Sequence, residues 1–127
     1  ARGQMSLFRL IVFAVAGKTG EGVFEAAAET GNFAIGVDSD QKYINPDVIL
    51  CSMVKQVGKS IYDTVADMDA NFKGGQIWTA DMATGYIDVA YGDDTMTQQV
   101  SDELKAEVED LKAKIVSGEI EVPTALK

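Results

Sequence analysis

The sequence predicts an α/β fold built on a doubly wound, mostly parallel β-sheet. Residues 10–16 form a continuous run of apolar, β-prone side chains without alternation, as in a strand that is covered on both faces. A glycine-rich turn, a helical apolar pattern and a second short apolar strand follow directly, and the strand–helix order then repeats. With 127 residues, the chain has room for one packed domain.

The first strand–helix–strand unit is predicted in the opening third of the chain. The run at 10–16 predicts a central strand, and residues 17–22 supply three glycines for a tight turn. Apolar residues then recur at helical spacing until Gly31, which is expected to end the helix. Residues 33–38 predict a second buried strand that ends in an acidic, turn-forming stretch.

The middle of the chain continues the alternation of strands and helices. Residues 48–53 predict a third strand, and apolar residues between 55 and 71 have helical spacing, with a Gly-Gly pair at 74–75 as the stop. Residues 77–82 and 86–91 then predict two short strands around a glycine-containing connection, as a hairpin or as a crossing pair.

The last part of the chain predicts a helix and an edge strand. Ser101 is expected to cap a helix that ends at Gly118, with acidic residues in the first turn and an intrahelical pair between Asp110 and Lys114. Residues 119–123 predict a short edge strand that a proline stops.

Composition excludes several classes of function. Eleven Lys and Arg against twenty Asp and Glu give a net charge of -9, which repels nucleic acids and anionic lipids. The absence of His and the single Cys exclude Ser-His and Cys-His triads and Cys-based metal clusters, and no cofactor is predicted. The longest apolar run has seven residues, whereas a membrane-spanning helix needs roughly 20.

The chain start is expected to lie outside the fold. Residues 1–9 are predicted to be a tag remnant or linker, because four residues precede Met5, and residues 10–127 form the predicted domain. No signal peptide or membrane anchor is predicted in this chain, because the first apolar segment leads into a glycine turn and not into a small-residue cleavage site. The native start is expected at Met5 or upstream of it.

The glycine turn invites comparison with phosphate-binding loops. A Walker-type loop would need a glycine where this chain has Val12, and the dinucleotide fingerprint has a different glycine spacing from residues 17–22. A tight turn that allows a ligand or another backbone to approach closely is therefore favoured over a phosphate site.

Asp38 is the first candidate site residue, because it ends a predicted parallel strand, where open α/β sheets bind ligands. Its carboxylate could accept two hydrogen bonds from the adjacent hydroxyls of a sugar. An Asp that only starts a turn fits the pattern equally well. A divalent-metal site formed with Asp40 is a third alternative, although no further ligand has suitable spacing.

Lys55 follows the third predicted strand and is the second candidate. Its ammonium group could donate to a hydroxyl of the same ligand, while a solvated lysine in a first helical turn is the alternative. Cys51 is interpreted as a small buried apolar residue, and Trp78 as a packing residue more than a base-stacking one.

Four segments together resemble one family. They are FAVAGKTGEGVFEAA at 13–27, AIGVDSDQ at 34–41, VILCSMVK at 48–55 and IVSGEIEVP at 115–123. Their order and spacing resemble the basic membrane protein family of bacterial substrate-binding lipoproteins, which includes the PnrA-like purine nucleoside receptors of ABC transporters.

The resemblance implies a type I periplasmic-binding-protein fold, in which two α/β lobes hold a nucleoside or similar small solute. In such receptors the residues at Asp38 and Lys55 hydrogen-bond the ribose, and those at Ala16 and Gly17 line the cleft. The resemblance implies a binding protein and not an enzyme, with an ABC permease as partner. The intact family member is an extracytoplasmic, membrane-anchored lipoprotein.

The resemblance also implies that the chain is an incomplete receptor. It corresponds to a C-terminal lobe plus elements that return to the hinge, and the helix at 55–71 would pack on a lobe that this sequence lacks. Exposed apolar surface is therefore expected, and with it either homo-oligomers or a fragment of a once-complete receptor. A stand-alone α/β interaction or regulatory module that has lost ligand binding is one alternative, and a small enzyme using Asp38 and Asp40 is another.

Overall fold

A computed structural model of the chain describes residues 9–67, 74–75 and 77–123. These residues belong to two compact units. The first unit combines the chain up to Met53 with Ala90–Gln99, and the second combines Val54–Val89 with the chain from Val100 onwards. The chain therefore passes between the units three times.

The first unit contains most of a parallel sheet. Its strands are β1 (Ile11–Phe13), β2 (Phe33–Asp38) and β3 (Ile49–Lys55), and the last two residues of β3 belong to the second unit. The three strands are neighbours in chain order, and β1 runs parallel to β2 with Val12 opposite Ala34. The α/β fold with a mostly parallel sheet is therefore confirmed.

Helix α1 (Glu21–Thr30) connects β1 to β2 and packs on the sheet. A short 3-10 helix at Gly17–Gly20 leads into it, and Gly31 ends it with a left-handed φ of 69°. This end agrees with the sequence expectation, because glycine adopts the left-handed conformation at low cost. The core of the first unit consists of Ala14, Phe24, Ala27, Ala34, Val48 and Ile49.

The prediction of a central strand at 10–16 is wrong. Strand β1 has three residues, lies at the edge of the described sheet, and leaves Phe13 50% exposed. The strand ends early because the backbone turns after Phe13, where the Val15 N–H donates to the Phe13 carbonyl at 3.1 Å. The apolar composition is typical of a covered strand, but all three residues of β1 are at least 40% exposed.

The second unit contains helix α2 (Val57–Asp67), strand β4 (Ile87–Ala90, whose last residue belongs to the first unit) and helix α3 (Asp102–Ser117). Strand β4 is the neighbour of β3 in the sheet. Just after β3, the Gln56 N–H donates to the Tyr86 carbonyl, which precedes β4, at 2.8 Å. The predicted extension of α2 over residues 68–71 lies outside the described residues.

Helix α3 has the ends that the sequence predicts. The Ser101 Oγ accepts a hydrogen bond from the Leu104 N–H at 3.2 Å, and Gly118 ends the helix with a φ of 80°. The predicted pair between Asp110 and Lys114 forms at 2.6 Å. Local capping and i,i+4 spacing therefore determine this element.

The predicted strand at 77–82 is wrong, and no hairpin forms among the described residues. The Asp81 Oδ1 accepts the Thr84 N–H at 2.9 Å, and the Thr84 Oγ1 accepts the Asp81 N–H at 2.9 Å. These side chains use the backbone groups that a strand would need, which favours a turn. Trp78 precedes this turn and is 52% exposed, so it does not pack in a described core.

The predicted edge strand at 119–123 is also wrong. The Ile120 N–H donates to the Lys114 carbonyl at 3.1 Å, so the chain after Gly118 completes the end of α3. Residues 121–123 have no regular structure. The end of α3 thus uses the Ile120 N–H, which the sequence predicted to lie in a strand.

The described apolar surface of the second unit is extensive. Val54 is its one buried apolar residue among those that the structure describes. Large apolar side chains that are at least about half exposed occur on α2 and α3, namely Val57, Ile61, Tyr62, Val65, Leu104 and Leu111. The expected exposure of apolar surface is therefore confirmed for the described residues.

Candidate functional site

Asp38 has an unusual backbone conformation. It is the last residue of β2, its side chain is exposed, and its φ of 71° makes it the one described non-glycine residue with positive φ. The Ser39 N–H donates to the Val37 carbonyl at 2.9 Å and closes a one-residue turn around Asp38. Such a turn is strained, with a cost of order 1–3 kcal/mol.

Gln41 connects the two sides of this turn. Its Oε1 accepts the Val37 N–H at 2.8 Å, and its own N–H donates to the Ser52 Oγ at 3.0 Å. Ser52 lies on β3 and is fully buried. The close approach of the Ser52 hydroxyl to β2 depends on the glycine at position 36, because a Cβ there would lie 2.6 Å from the Ser52 Oγ.

Asp40 has a structural role. Its Oδ1 accepts the Lys42 N–H at 3.1 Å and the Ser52 hydroxyl at 3.3 Å, and its Oδ2 accepts the Gly92 N–H at 3.0 Å. Both oxygens are therefore engaged by donors of the protein, which gives no support to the metal or enzyme alternatives with Asp38. In the part of the chain that the structure describes, no group of three or more acidic or Cys side chains could hold a metal ion.

Lys42 is buried, which the sequence did not predict. Its Nζ donates to the carbonyl of Ile49 at 2.6 Å and to the Gln99 Oε1 at 2.7 Å, with longer bonds to two further carbonyls, those of Pro46 and Leu50. Gly92 leaves room for the lysine stem, because a Cβ there would lie 2.7 Å from the Lys42 Cδ. A lysine in an acidic turn is typical of solvent exposure, so no sequence signal marks this burial.

Ala16 and Gly17 follow the carboxyl end of β1. Gly17 begins the 3-10 helix with a φ of 53°, and the Ala16 N–H donates to the Ala14 carbonyl at 2.9 Å. Because β1 and β2 are parallel neighbours, Ala16, Gly17 and Asp38 follow strand ends at the same edge of the sheet. The structure therefore brings three of the four predicted site residues to one edge of the first unit.

Lys55 is the last residue of β3 and belongs to the second unit. Its side chain is exposed and lines a small cavity of about 200 Å³. The other residues around this cavity are Gln56, Val57, Ser60, Ala80, Tyr86 and Ile87. Lys55 thus follows a strand end, as predicted, within a different unit from the other three site residues.

A polar cluster of Lys59, Asp63 and Tyr86 lies beside the Lys55 cavity. Asp63 accepts from the Lys59 Nζ at 2.5 Å and from the Tyr86 hydroxyl at 2.7 Å, while the Lys59 Nζ lies 4.2 Å from the centre of the Tyr86 ring. The hydrogen bonds from Lys59 and Tyr86 lower the pKa of Asp63, and the bond to Asp63 raises the pKa of Tyr86. The sequence did not predict this cluster.

Cys51 and a larger groove of the second unit do not add a reactive site. Burial raises the pKa of the half-buried Cys51 thiol, which disfavours the thiolate that a nucleophile requires. A groove of about 570 Å³ lies between the 80–83 turn and the end of α3 and is mainly apolar. No predicted site residue lines this groove.

Among the described residues, no helix combines the length and the apolar character that crossing a bilayer requires.

Comparisons with known proteins agree on one family. Residues 9–125 match the family described as ABC transporter substrate-binding protein, PnrA-like. Basic membrane protein C of Borreliella burgdorferi strain N40 is 39% identical over 117 residues, which cover 89% of this chain and 32% of that protein. The chain therefore spans about a third of the length of this relative.

Two solved structures share the fold. A solute-binding protein of an ABC transporter system from Aeropyrum pernix K1 is 25% identical with a TM-score of 0.72, over 92% of this chain and 41% of that chain. A transcriptional activator of the comK gene from Bacillus halodurans is 20% identical with a TM-score of 0.75, over 90% and 38%. The second likeness concerns the fold alone.

Proposed function

Because the chain belongs to the PnrA-like family of ABC transporter substrate-binding proteins, we propose that it supplies the ribose contacts of a nucleoside receptor. Asp38 accepts hydrogen bonds from the two adjacent ribose hydroxyls, and Lys55 donates to a ribose hydroxyl oxygen. Ala16 and Gly17 offer a backbone edge that the ligand can approach closely. The function is binding, without a chemical step and without a cofactor.

The conformation of Asp38 carries this proposal. An exposed carboxylate at the carboxyl end of a parallel strand lies where α/β sheets bind ligands. Its left-handed φ of 71° is a strain that proteins keep where the surrounding structure enforces it, often at ligand sites. Glycine would adopt this conformation at lower cost than aspartate, which is consistent with a role for the Asp38 carboxylate beyond starting a turn.

The proposed context is transport of a small solute. The intact receptor delivers the nucleoside to an ABC permease outside the cytoplasmic membrane, to which a lipid anchor attaches it. In this setting two lobes close on the ligand, and binding energy favours the closed state. The family match and the solute-binding structure from Aeropyrum pernix support this context.

Titration calorimetry of the whole chain with inosine, guanosine and adenosine tests the proposal. Asp38→Asn keeps the size and the tolerance for positive φ but removes the charge, so the dissociation constant is expected to rise at least about tenfold. Asp47→Asn is the matched control, because Asp47 is an exposed carboxylate that pairs with Thr97 at 2.6 Å and precedes the amino end of β3. Equal affinities of wild type and Asp38→Asn would remove Asp38 from the site.

Lys55 is tested separately, because it belongs to the other unit. Lys55→Met keeps the aliphatic stem and removes the ammonium group, and a similar rise in the dissociation constant is expected. Lys114→Met on α3 is the control. Unchanged nucleoside affinity in Lys55→Met would restrict the proposed site to the first unit.

A second proposed function is self-association, or a stand-alone interaction module, through the apolar surface of the second unit. The exposed face of α2 with Val57, Ile61 and Val65 supports it, because soluble monomers rarely keep such surfaces uncovered. Light scattering is expected to give a dimer or larger species, and Ile61→Glu is expected to dissociate it. A wild-type monomer that binds no apolar dye would contradict this function.

A further inference from the structure

Gln41 forms hydrogen bonds on both sides of the Asp38 turn. Before the turn, the Val37 N–H donates to the Gln41 Oε1 at 2.8 Å. After the turn, the Gln41 N–H donates to the Ser52 Oγ at 3.0 Å, and Ser52 is fully buried on the neighbouring strand. One residue thus ties the end of β2 to β3 across the strained position.

Asp40 does not connect the end of β2 to β3 in the way that Gln41 does. Its hydrogen bonds go to the Lys42 N–H, the Gly92 N–H and the Ser52 hydroxyl, all of which follow the turn or lie on other segments. None of these bonds reaches the strand before Asp38. Gln41 is therefore the described side chain whose hydrogen bond fixes the residue that precedes the turn.

We propose that Gln41 is a positioning residue for the nucleoside site, because its bridge from Val37 to Ser52 holds Asp38 in the left-handed conformation that presents its carboxylate. This inference rests on the proposed function. Without the bridge, Asp38 relaxes to ordinary backbone conformations and is competent to bind for only part of the time. The apparent dissociation constant then rises in inverse proportion to the competent fraction.

The first test measures the turn itself in the ligand-free chain. A residue with positive φ gives a strong nuclear Overhauser effect between its own amide and α protons, and Asp38 is expected to show it. Gln41→Met keeps the side-chain length but removes the acceptor, so the signal of Asp38 is expected to weaken. Gln98→Met is the matched control, because its amide group donates to the Tyr91 and Asp93 carbonyls in a different turn.

Ser52→Ala provides a second variant, in case Gln41→Met does not fold. It removes the acceptor of the Gln41 N–H while leaving the Gln41 side chain intact, and it is expected to weaken the same Asp38 signal. An unchanged Asp38 signal in Gln41→Met, or in Ser52→Ala if only that variant folds, overturns the inference, whether or not a nucleoside binds.

The second test is calorimetry with inosine. If the released turn is left-handed for about a tenth of the time, the dissociation constant of Gln41→Met rises about tenfold, and that of Gln98→Met does not change. A weakened Asp38 signal with unchanged inosine affinity overturns the positioning role. Absence of binding by the wild type overturns the proposed nucleoside function, and the Asp38 signal then decides alone whether Gln41 holds the turn.

Discussion

The ammonium group of Lys42 donates a hydrogen bond of 2.7 Å to the side-chain oxygen of Gln99, 57 positions further along the chain. Lys42 is fully buried, and the same group also donates to the Ile49 carbonyl at 2.6 Å. The bond joins the Ala90–Gln99 segment to the loop after β2, within the first unit. This loop carries Asp38 at its start, so Lys42 stabilises the base of the candidate site.

Lys42→Met is expected to destabilise the chain strongly. The change keeps the apolar stem but leaves the Ile49 carbonyl and the Gln99 oxygen without their donor, at a cost of roughly 3 kcal/mol. Urea denaturation measures the free energy of unfolding. Lys114→Met, which breaks an exposed pair with Asp110, is expected to cost at most about 0.5 kcal/mol, and equal losses in the two variants would contradict a buried role for Lys42.

Gly36→Ala tests the close approach of Gln41 and Ser52. A Cβ at Gly36 would lie 2.6 Å from the Ser52 Oγ and 2.9 Å from the Gln41 Oε1, so we expect a loss of about 1–3 kcal/mol. Gly22→Ala in α1 meets no atom within 4 Å and is expected to gain up to about 1 kcal/mol. Thermal unfolding of both variants is expected to show a lower melting temperature for Gly36→Ala and a higher one for Gly22→Ala. An unchanged melting temperature of Gly36→Ala would contradict the close contact of Gln41 and Ser52 with position 36.

Substitutions at Asp38 are expected to distinguish the backbone strain at this position from the role of its carboxylate in nucleoside binding. Asp38→Gly removes the left-handed strain at the entropy cost of a glycine, so the free energy of unfolding is expected to rise by up to about 2 kcal/mol. Asp38→Val places a β-branched residue at a φ of 71° and is expected to lose about 1–2 kcal/mol. Chemical denaturation gives the order, and a valine variant as stable as the glycine variant would argue against the strained turn. Both variants should lose nucleoside binding.

Tyr86→Phe is expected to reduce stability only in a middle range of pH. The hydrogen bonds from Lys59 and Tyr86 lower the pKa of Asp63. The ionised Asp63 therefore contributes to stability above about pH 4, and this contribution is lost as the pH falls through the lowered pKa. The bond to Asp63 raises the pKa of Tyr86, so this contribution is present below about pH 10 and is lost as the pH rises through the raised value.

Melting temperatures of wild type and Tyr86→Phe, measured across pH, check this expectation. The two curves should differ near neutral pH and converge at strongly acid and strongly alkaline pH. Tyr62→Phe is the matched control, because Tyr62 is on the same helix as Asp63 and is 73% exposed. A constant difference at all pH values would show that the Tyr86 effect comes from packing and not from the bond to Asp63.

Elements with local determinants could be predicted from the sequence. Ser101 and Gly118 mark the ends of α3 because a serine hydroxyl and a glycine backbone satisfy helix ends wherever they occur. The end of α1 at Gly31 was predicted for the same reason, and β2 was predicted from its short apolar run before a turn-forming stretch. The family was also evident from motif order, since all four quoted segments lie within residues 9–125 that match it.

Where the expectations failed, local hydrogen bonds of side chains or of the backbone had replaced the predicted strand pairing. The reciprocal bonds of Asp81 and Thr84 replaced a strand, and the backbone cap of α3 used the Ile120 N–H. β-propensity does not anticipate either, because it describes side-chain packing and not the backbone partners that neighbouring polar groups take.

The sequence by itself determined the fold class, the end of α1, both ends of α3 and the family, and it predicted the candidate residues Ala16, Gly17, Asp38 and Lys55. Only the tertiary structure decided that Asp38 is left-handed, that Asp40 is structural and that Lys42 is buried. The physical reason is that these three properties depend on hydrogen bonds to Ser52, Gly92 and Gln99, which are distant in sequence. Spacing and propensity describe neighbours along the chain, whereas such bonds exist only after the chain has folded.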